Sequence, residues 1–158
     1  MNEIINEHLK NQKVIRSFRG EYFFLSNFYV FKNGLSSEHL YQSMKTKSKL
    51  WKVKILSAKT PSDAKKHGKL APITEDWKII KIPSMEIVVR SKFFLYSKLK
   101  KKLMKTEDAY LIEGNYWHDN FWGDCGCKKC KDITGYNYLG SILMEVRREI
   151  IELYGEKK

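Results

Sequence analysis

The stretch Ser36-Ser37-Glu38-His39-Leu40-Tyr41-Gln42-Ser43-Met44-Lys45 reads as the opening of a helix. Ser36 or Ser37 supplies the N-cap, and no glycine or proline interrupts the run to Lys45. At ~100° per residue, Glu38, Gln42 and Lys45 fall at about 0°, 40° and −20° around the axis, with Tyr41 at about −60°. A carboxylate, an amide, an amine and a phenol therefore share one side. Glu and Lys together are the parts of a general acid/base or covalent amine site. The same residues also fit a solvated helix start, with Glu38 offsetting the helix dipole and Lys45 in water. Spacing alone leaves both readings open.

Outward from this helix, the chain reads as helix-rich α+β with a few short strands. Residues 1–17 form a polar lead-in with room for a short helix, and residues 1–15 count as an N-terminal extension to a single domain at 16–155. Val30-Phe31 before Asn33-Gly34 suggests a hairpin. Thr60-Pro61-Ser62-Asp63 opens a second helix, with proline at the first helical position and an expected stop at Gly68. The chain turns at Pro72, and Thr74 can cap a segment carrying Trp77. Ser84 should open a long helix with Met85, Val88, Val89, Tyr96, Leu99 and Leu103 on one stripe. Lys100, Lys101, Lys102 and Lys105 suit the negative end of its dipole. Tyr110-Leu111-Ile112 reads as a strand, residues 114–137 as a glycine-containing loop, and Tyr138 to Tyr154 as a final helix ended by Gly155.

The totals narrow the class. With 158 residues and 42% hydrophobic content, the chain has material for one packed core. No apolar run reaches membrane-spanning length, and the start Met1-Asn2-Glu3-Ile4 lacks the pattern of a secretory leader. The expectation is a cytoplasmic protein with no membrane partner. The formal charge is +12, and Arg90 to Lys105 holds seven basic residues and no acidic one. Such a balance favours an anionic partner: nucleic acid, a nucleotide or a phosphosugar. A lysine-rich solvated surface fits the same count.

Three further groups can carry chemistry. His118-Asp119-Asn120-Phe121-Trp122-Gly123-Asp124 places a carboxylate and an indole beside glycine, a loop suited to ribose hydroxyls and a stacked ring. It also fits a surface turn pinned by aromatics. Cys125, Cys127 and Cys130 are the only cysteines, gathered within six residues. In a reducing compartment a disulfide is disfavoured, and a Cys-x-Cys-x2-Cys group can hold a structural zinc with a fourth ligand from His118, Asp124 or a distant residue. Gly135-Tyr136-Asn137-Tyr138-Leu139-Gly140 leads into the last helix, with Asn137 as an N-cap and exposed amides that suit phosphate.

Taken in order, these segments resemble one family. Phe24-Leu25-Ser26-Asn27-Phe28 and Ser37-Glu38-His39 with Tyr41-Gln42 and Lys45 look like its opening. Trp77, Lys92-Phe93, Glu113, Asp119 and Trp122-Gly123 come next, and Gly135, Asn137, Leu139-Gly140, Leu143-Met144 and Arg147 close it. The set is similar to the NADAR (YbiA-like) domain, over about residues 16–152. The resemblance implies an N-glycosidase that hydrolyses the bond between ribose C1 and a ring nitrogen and requires no cofactor. It implies two substrate classes: ADP-ribose on guanine in nucleic acid, or early phosphoribosylated intermediates of riboflavin synthesis.

It also implies roles. Glu38 would act as acid/base, Lys45 would capture C1 as a Schiff base, and Asp119 would complete the catalytic group. Asn27, Phe28, Tyr41, Gln42, Trp77, Lys92, Glu113, Trp122, Gly123 and Asn137 would bind substrate. A lowered Lys45 pKa would come from partial burial or a nearby cation; because Glu38 works against a neutral amine, either Glu38 passes protons through water or another lysine such as Lys92 depresses Lys45. Where the family often has Gly-Arg, this chain has Gly68-Lys69, a point charge in place of a bidentate fork. Cys125 to Lys131 replaces a glycine-rich run. The competing class is a module that binds ADP-ribose or nucleic acid without cleaving it.

Overall fold

The computed structural model describes residues 12–155. The helix expected within residues 1–17 falls largely on residues 1–11, outside the described residues, and Val14–Ile15 is a strand, β1. After a 3₁₀ segment at Gly20–Leu25 come α1 (Ser37–Met44), α2 (Lys49–Leu56), α3 (Pro61–Leu70), α4 (Trp77–Leu95) and α5 (Ser97–Met104). Three two-residue strands come next, β2 (Tyr110–Leu111), β3 (Gly114–Asn115) and β4 (Asp124–Cys125), and α6 (Tyr138–Tyr154) closes the chain. The helix-rich α+β class stands. The residues group into two compact units, 23–96 and 12–22 with 97–155.

In the unit 23–96, α1 packs against α2, α3 and α4. Each of the first three helices begins at a hydroxyl cap: Ser36, Ser48 and Thr60 accept from backbone N–H groups of the first turn. Ile55, Ala64 and Ala71 form a buried cluster where α2 meets α3. Phe24 meets Phe93 edge-on at 6.4 Å, and both are buried. The expected hairpin shrinks to a single antiparallel bridge, Val30 with Ser36, around a turn in which Phe31 donates to the Leu35 carbonyl. The chain enters α1 directly after Ser36, which leaves no residues to lengthen a ladder.

Three helix boundaries differ from expectation. α3 runs through Gly68 to Leu70, so Gly68 is not its terminator. α4 begins at Trp77 and carries Pro83 in its interior. Proline removes one helical hydrogen bond there. Burial of Trp77 before it and of Met85 and Val88 after it holds the helix on course. The long stripe ends at Leu95, because Tyr96 is extended (φ −105°, ψ 96°) with its ring stacked on Phe31 at 4.7 Å. Leu99 and Leu103 therefore belong to a separate helix, α5.

In the other unit, β1 and β2 pair in parallel, Val14 with Tyr110 and Ile15 with Leu111. α6 packs on β2 and on α5 through Leu139, Ile142, Leu143, Val146 and Ile150, all buried. Within the expected loop, β3 and β4 pair in parallel, Gly114 with Asp124 and Asn115 with Cys125. The buried Arg147 guanidinium donates to the Thr106 hydroxyl at 2.9 Å and the Ala109 carbonyl at 2.8 Å, tying α6 to the turn before β2.

Candidate active site

Ser36 starts α1 with extended backbone, and its Oγ accepts from the His39 N–H. The fully buried His39 ring spans from Ser36 Oγ (2.7 Å) to the Ala58 carbonyl (3.1 Å). Donation from Nε2 to that carbonyl leaves Nδ1 to accept, so His39 is an anchor with both nitrogens engaged. The N–H of Glu38 donates to the Asn27 carbonyl at 3.0 Å. That bond fastens the Ser26-Asn27-Phe28 segment to the first turn of α1. Asn27 Nδ2 contacts Met85 Sδ at 3.2 Å, and Lys92 Nζ donates to the Ser26 carbonyl at 2.8 Å.

The face read from the sequence is not a solvated one. Glu38 is 6% exposed and Gln42 3%. Gln42 Nε2 donates to Glu38 Oε1 at 2.6 Å. Gln42 has room because α3 offers a glycine opposite it: a Cβ on Gly68 would sit 2.0 Å from Gln42 Oε1 and 2.9 Å from Gln42 Cβ. Gly68 is thus part of the site's wall. A glycine that carries a helix past itself is the one sequence signal for this, since helix interiors disfavour it by about 1 kcal/mol.

Lys45 caps the far end of α1, and its carbonyl accepts from the Thr74 N–H at 2.9 Å. Its Nζ lies 5.7 Å from the centroid of the Tyr41 ring and 5.9 Å from that of Trp77. Those two rings are themselves 5.3 Å apart and buried. The amine is thereby enclosed by aromatic surface.

The electrostatics derive from this burial. Desolvation pushes the Glu38 carboxyl above its ordinary range, against the Gln42 hydrogen bond and the charges of Lys65, Lys45 and His39. Desolvation pushes the Lys45 amine below its ordinary range, opposed by Glu38 and helped by Lys65 and Lys69. The cations that depress Lys45 are therefore Lys65 and Lys69 of α3, in place of the expected Lys92, which is engaged by Ser26 and lies over the Tyr29 and Phe93 rings. Lys65 also sits 5.8 Å from the Phe28 ring centroid. Nothing in a lysine-rich sequence distinguishes Lys65 from its many neighbours.

Both shifts run toward the acid–amine form, which holds a proton donor and a nucleophile at once. The unit 23–96 thus gathers Asn27, Phe28, Glu38, Tyr41, Gln42, Lys45, Trp77 and Lys92.

Glu113, Asp119, Trp122, Gly123 and Asn137 belong to the other unit. Asp119 Oδ1 accepts from the N–H groups of Phe121 (3.1 Å) and Trp122 (2.9 Å), which closes a tight turn. The half-buried Trp122 meets Phe121 edge-on at 4.9 Å. A Cβ on Gly123 would lie 2.0 Å from the Glu113 carbonyl, so this position needs glycine for backbone approach. Asn137 occupies the N-cap position of α6, its carbonyl accepting from the Ser141 N–H at 3.0 Å, but its side chain makes no capping hydrogen bond. It is left-handed (φ 52°), and its side chain accepts from the Glu113 N–H and donates to the Leu111 carbonyl, clamping β2 to the start of α6. The cysteine group finds its neighbour in His118; the Asp124 carboxylate is turned instead to the Gly135 N–H and the Arg16 guanidinium.

The NADAR domain family matches residues 16–151. The chain belongs to the NADAR family. A protein named N-glycosidase from Nostoc punctiforme is 36% identical over 121 residues, covering 73% of this chain and 74% of that protein. A riboflavin biosynthesis protein from Vibrio vulnificus is 36% identical over 137 residues, covering 82% of this chain and 36% of its own length. This chain thus corresponds to one part of that longer NADAR relative. Among solved structures, the NMR structure of the Escherichia coli protein YbiA superposes with a TM-score of 0.76 at 28% identity, covering 93% of this chain and 90% of that one. The NADAR match begins at Arg16, just after β1. No helix among the described residues is long and apolar enough to cross a membrane.

Proposed function

We propose that this NADAR protein is an N-glycosidase that hydrolyses the bond between a ribose C1 and a base nitrogen in a phosphorylated substrate. One observation carries the reading: a buried carboxyl biased toward its acid form and an amine biased toward its neutral form share the helix α1. The name of the Nostoc relative, an N-glycosidase, supports the reaction class, and that of the Vibrio relative, a riboflavin biosynthesis protein, motivates the choice of a riboflavin-pathway compound as one of the two substrates to test.

The chemistry balances on these two groups. Neutral Lys45 Nζ attacks C1 while the C1–N bond breaks, and Glu38 gives its proton to the leaving nitrogen. The new C1–Nζ ammonium returns a proton to Glu38. Glu38 then gives its proton to the ring oxygen as the ribose opens to a protonated Schiff base, and takes a proton back from the water that adds at C1. Expulsion of the amine leaves the C1 aldehyde, and closure of the ring by its own hydroxyl gives a hydroxyl on C1, so the net exchange puts hydroxyl on C1 and hydrogen on the base. Lys65 and Lys69 supply positive charge for the phosphate, and Tyr41 and Trp77 keep bulk water from the amine.

The test offers the protein two substrates: DNA carrying ADP-ribose on guanine, and a 5-phosphoribosylaminopyrimidine of riboflavin synthesis. Release of ADP-ribose or of ribose phosphate gives the reaction and selects the substrate. Borohydride added during turnover should fix sugar to Lys45, and Lys45→Ala should abolish this adduct. Binding of both substrates without release of product overturns the proposal in favour of a binding module. Trapping that survives Lys45→Ala removes the covalent step.

A further inference from the structure

His118, Cys125, Cys127 and Cys130 lie together, with their ligand atoms all within 4.8 Å of one another. His118 Nδ1 is 3.3 Å from both Cys127 Sγ and Cys130 Sγ. Tetrahedral zinc with Zn–S near 2.3 Å and Zn–N near 2.0 Å requires ligand edges of about 3.5–3.8 Å, so four donors this close need only small adjustments. All three cysteines are free thiols, and Cys125 and Cys130 are buried. None of the four residues has a part in the reaction proposed above.

The backbone is arranged to bring these donors together. Cys125 lies on β4, paired with Asn115, and its N–H donates to Asn120 Oδ1 at 2.9 Å. The Cys130 N–H donates to the Cys127 carbonyl at 3.0 Å, a turn that aims both sulfurs to one side. His118 stands in the left-handed region (φ 67°), which turns its ring toward the cysteine sulfurs.

We infer that His118, Cys125, Cys127 and Cys130 bind one zinc ion, which locks the segment 116–130 and with it the turn closed by Asp119. Asp119 comes directly after the histidine ligand, and its N–H donates to Asn115 Oδ1 at 3.1 Å. The ion would join this turn to β4 and to the Cys127–Cys130 turn, three pieces of one long connection. The donor set is thiolate-rich with one imidazole, as in closed structural zinc sites, and leaves no position for a reacting water.

The test uses the full chain purified from zinc-supplemented culture. One zinc per chain is expected by elemental analysis, released stoichiometrically when a mercurial titrates the three thiols. Cobalt exchange should give the visible absorption of a tetrahedral thiolate site. Cys130→Ser should lose the metal. His118→Ala should retain three thiolates and bind zinc at least about tenfold more weakly. Chelator-treated wild type, checked by circular dichroism for retained helix, should be cut by trypsin at Lys128, Lys129 or Lys131, and zinc should restore resistance. Absence of stoichiometric metal, iron in place of zinc, or equal metal content in His118→Ala and Cys130→Ser would each overturn the assignment. Metal content is read without reference to activity, so its outcome is separable from that of the glycosidase proposal.

Discussion

Replacing Gly68 with alanine separates two accounts of α3 by sign. Helix propensity alone says that alanine inside a helix stabilises it by about 1 kcal/mol relative to glycine. The geometry says the opposite. The new methyl would lie 2.0 Å from Gln42 Oε1, 2.8 Å from its Cδ and 2.9 Å from its Cβ. Swinging the amide aside relieves the first two contacts but not the third, and the side chain is almost wholly enclosed. Forced repacking costs about 1–3 kcal/mol. Moving the amide also breaks its hydrogen bond to Glu38, worth a further ~1–3 kcal/mol where the carboxyl stays buried. After the propensity gain is subtracted, Gly68→Ala should destabilise the protein by about 1–5 kcal/mol. Urea denaturation at fixed pH reads this directly, and a chain of this size should lose about 2–4 °C in Tm per kcal/mol. Gln42→Ala in the same chain should recover at least about 1 kcal/mol of the loss, because it removes the clashing amide. A Gly68→Ala protein as stable as wild type, with unchanged kcat/KM, would refute the account of Gly68 as the wall behind Gln42.

Three further outcomes are expected. Glu38 has a folded-state pKa above its ordinary 4.5, so the folded protein binds more protons than the unfolded chain between those values, and stability falls as pH rises through that window; Glu38→Gln should remove this decline in pH-dependent unfolding while lowering kcat at least ~10²-fold. Removing Lys65 and Lys69 together takes away positive charge that lowers the pKa of Lys45, and Lys65 also lowers that of Glu38. Both limbs of the kcat/KM profile should therefore move to higher pH, with a raised KM for the phosphorylated substrate; unmoved limbs would exclude these lysines as the source. Asn137→Ala loses two buried backbone hydrogen bonds and leaves an alanine at φ 52°, a combined cost of about 3–5 kcal/mol in denaturant unfolding, whereas Asn137→Gly keeps the backbone ease and should cost about 1–2 kcal/mol less.

Local signals were readable where local physics decides. Ser36 and Thr60 cap as their positions suggest, and α6 keeps to its apolar stripe from Tyr138 to Tyr154. The misreadings share a cause: a tertiary contact overrode a local preference. Gly68 resembles a helix terminator until Gln42 is seen against it. Ser84 resembles a helix start until Trp77 and Met85 are both found buried on α4. Tyr96 continues a helical stripe until Phe31 draws its ring into a stack. The Asn137 side chain resembles a cap until its amide is found bridging Leu111 of β2 and Glu113. In the candidate site, Glu38, Gln42 and Lys45 were legible as one helix face, but their burial was not. Whether a polar face meets water or another helix is decided by residues such as Gly68 and Trp77, distant in the chain.

That burial is the reason the proposed reading favours reaction over simple recognition. A module that only holds a phosphorylated nucleoside gains from charge: a carboxylate to accept ribose hydroxyls and an ammonium to meet phosphate. Burial of Glu38 and Lys45 erodes both, drawing the carboxyl toward its acid and the lysine toward its amine. The molecule retains charge nearby in Lys65 and Lys69, where α3 brings two cations to bear on the Lys45 amine. In the proposed reaction, attraction of the anion and activation of the nucleophile would be divided between two helices. The same lysines that draw phosphate also depress Lys45, so a bound phosphate would partly neutralise them and let the amine regain basicity. Turnover would then benefit from a phosphate held at the rim, close enough to be attracted and far enough to leave the amine neutral. A substrate series with the phosphate moved by one bond should show kcat falling on the side nearer Lys45 and KM rising on the side farther from it.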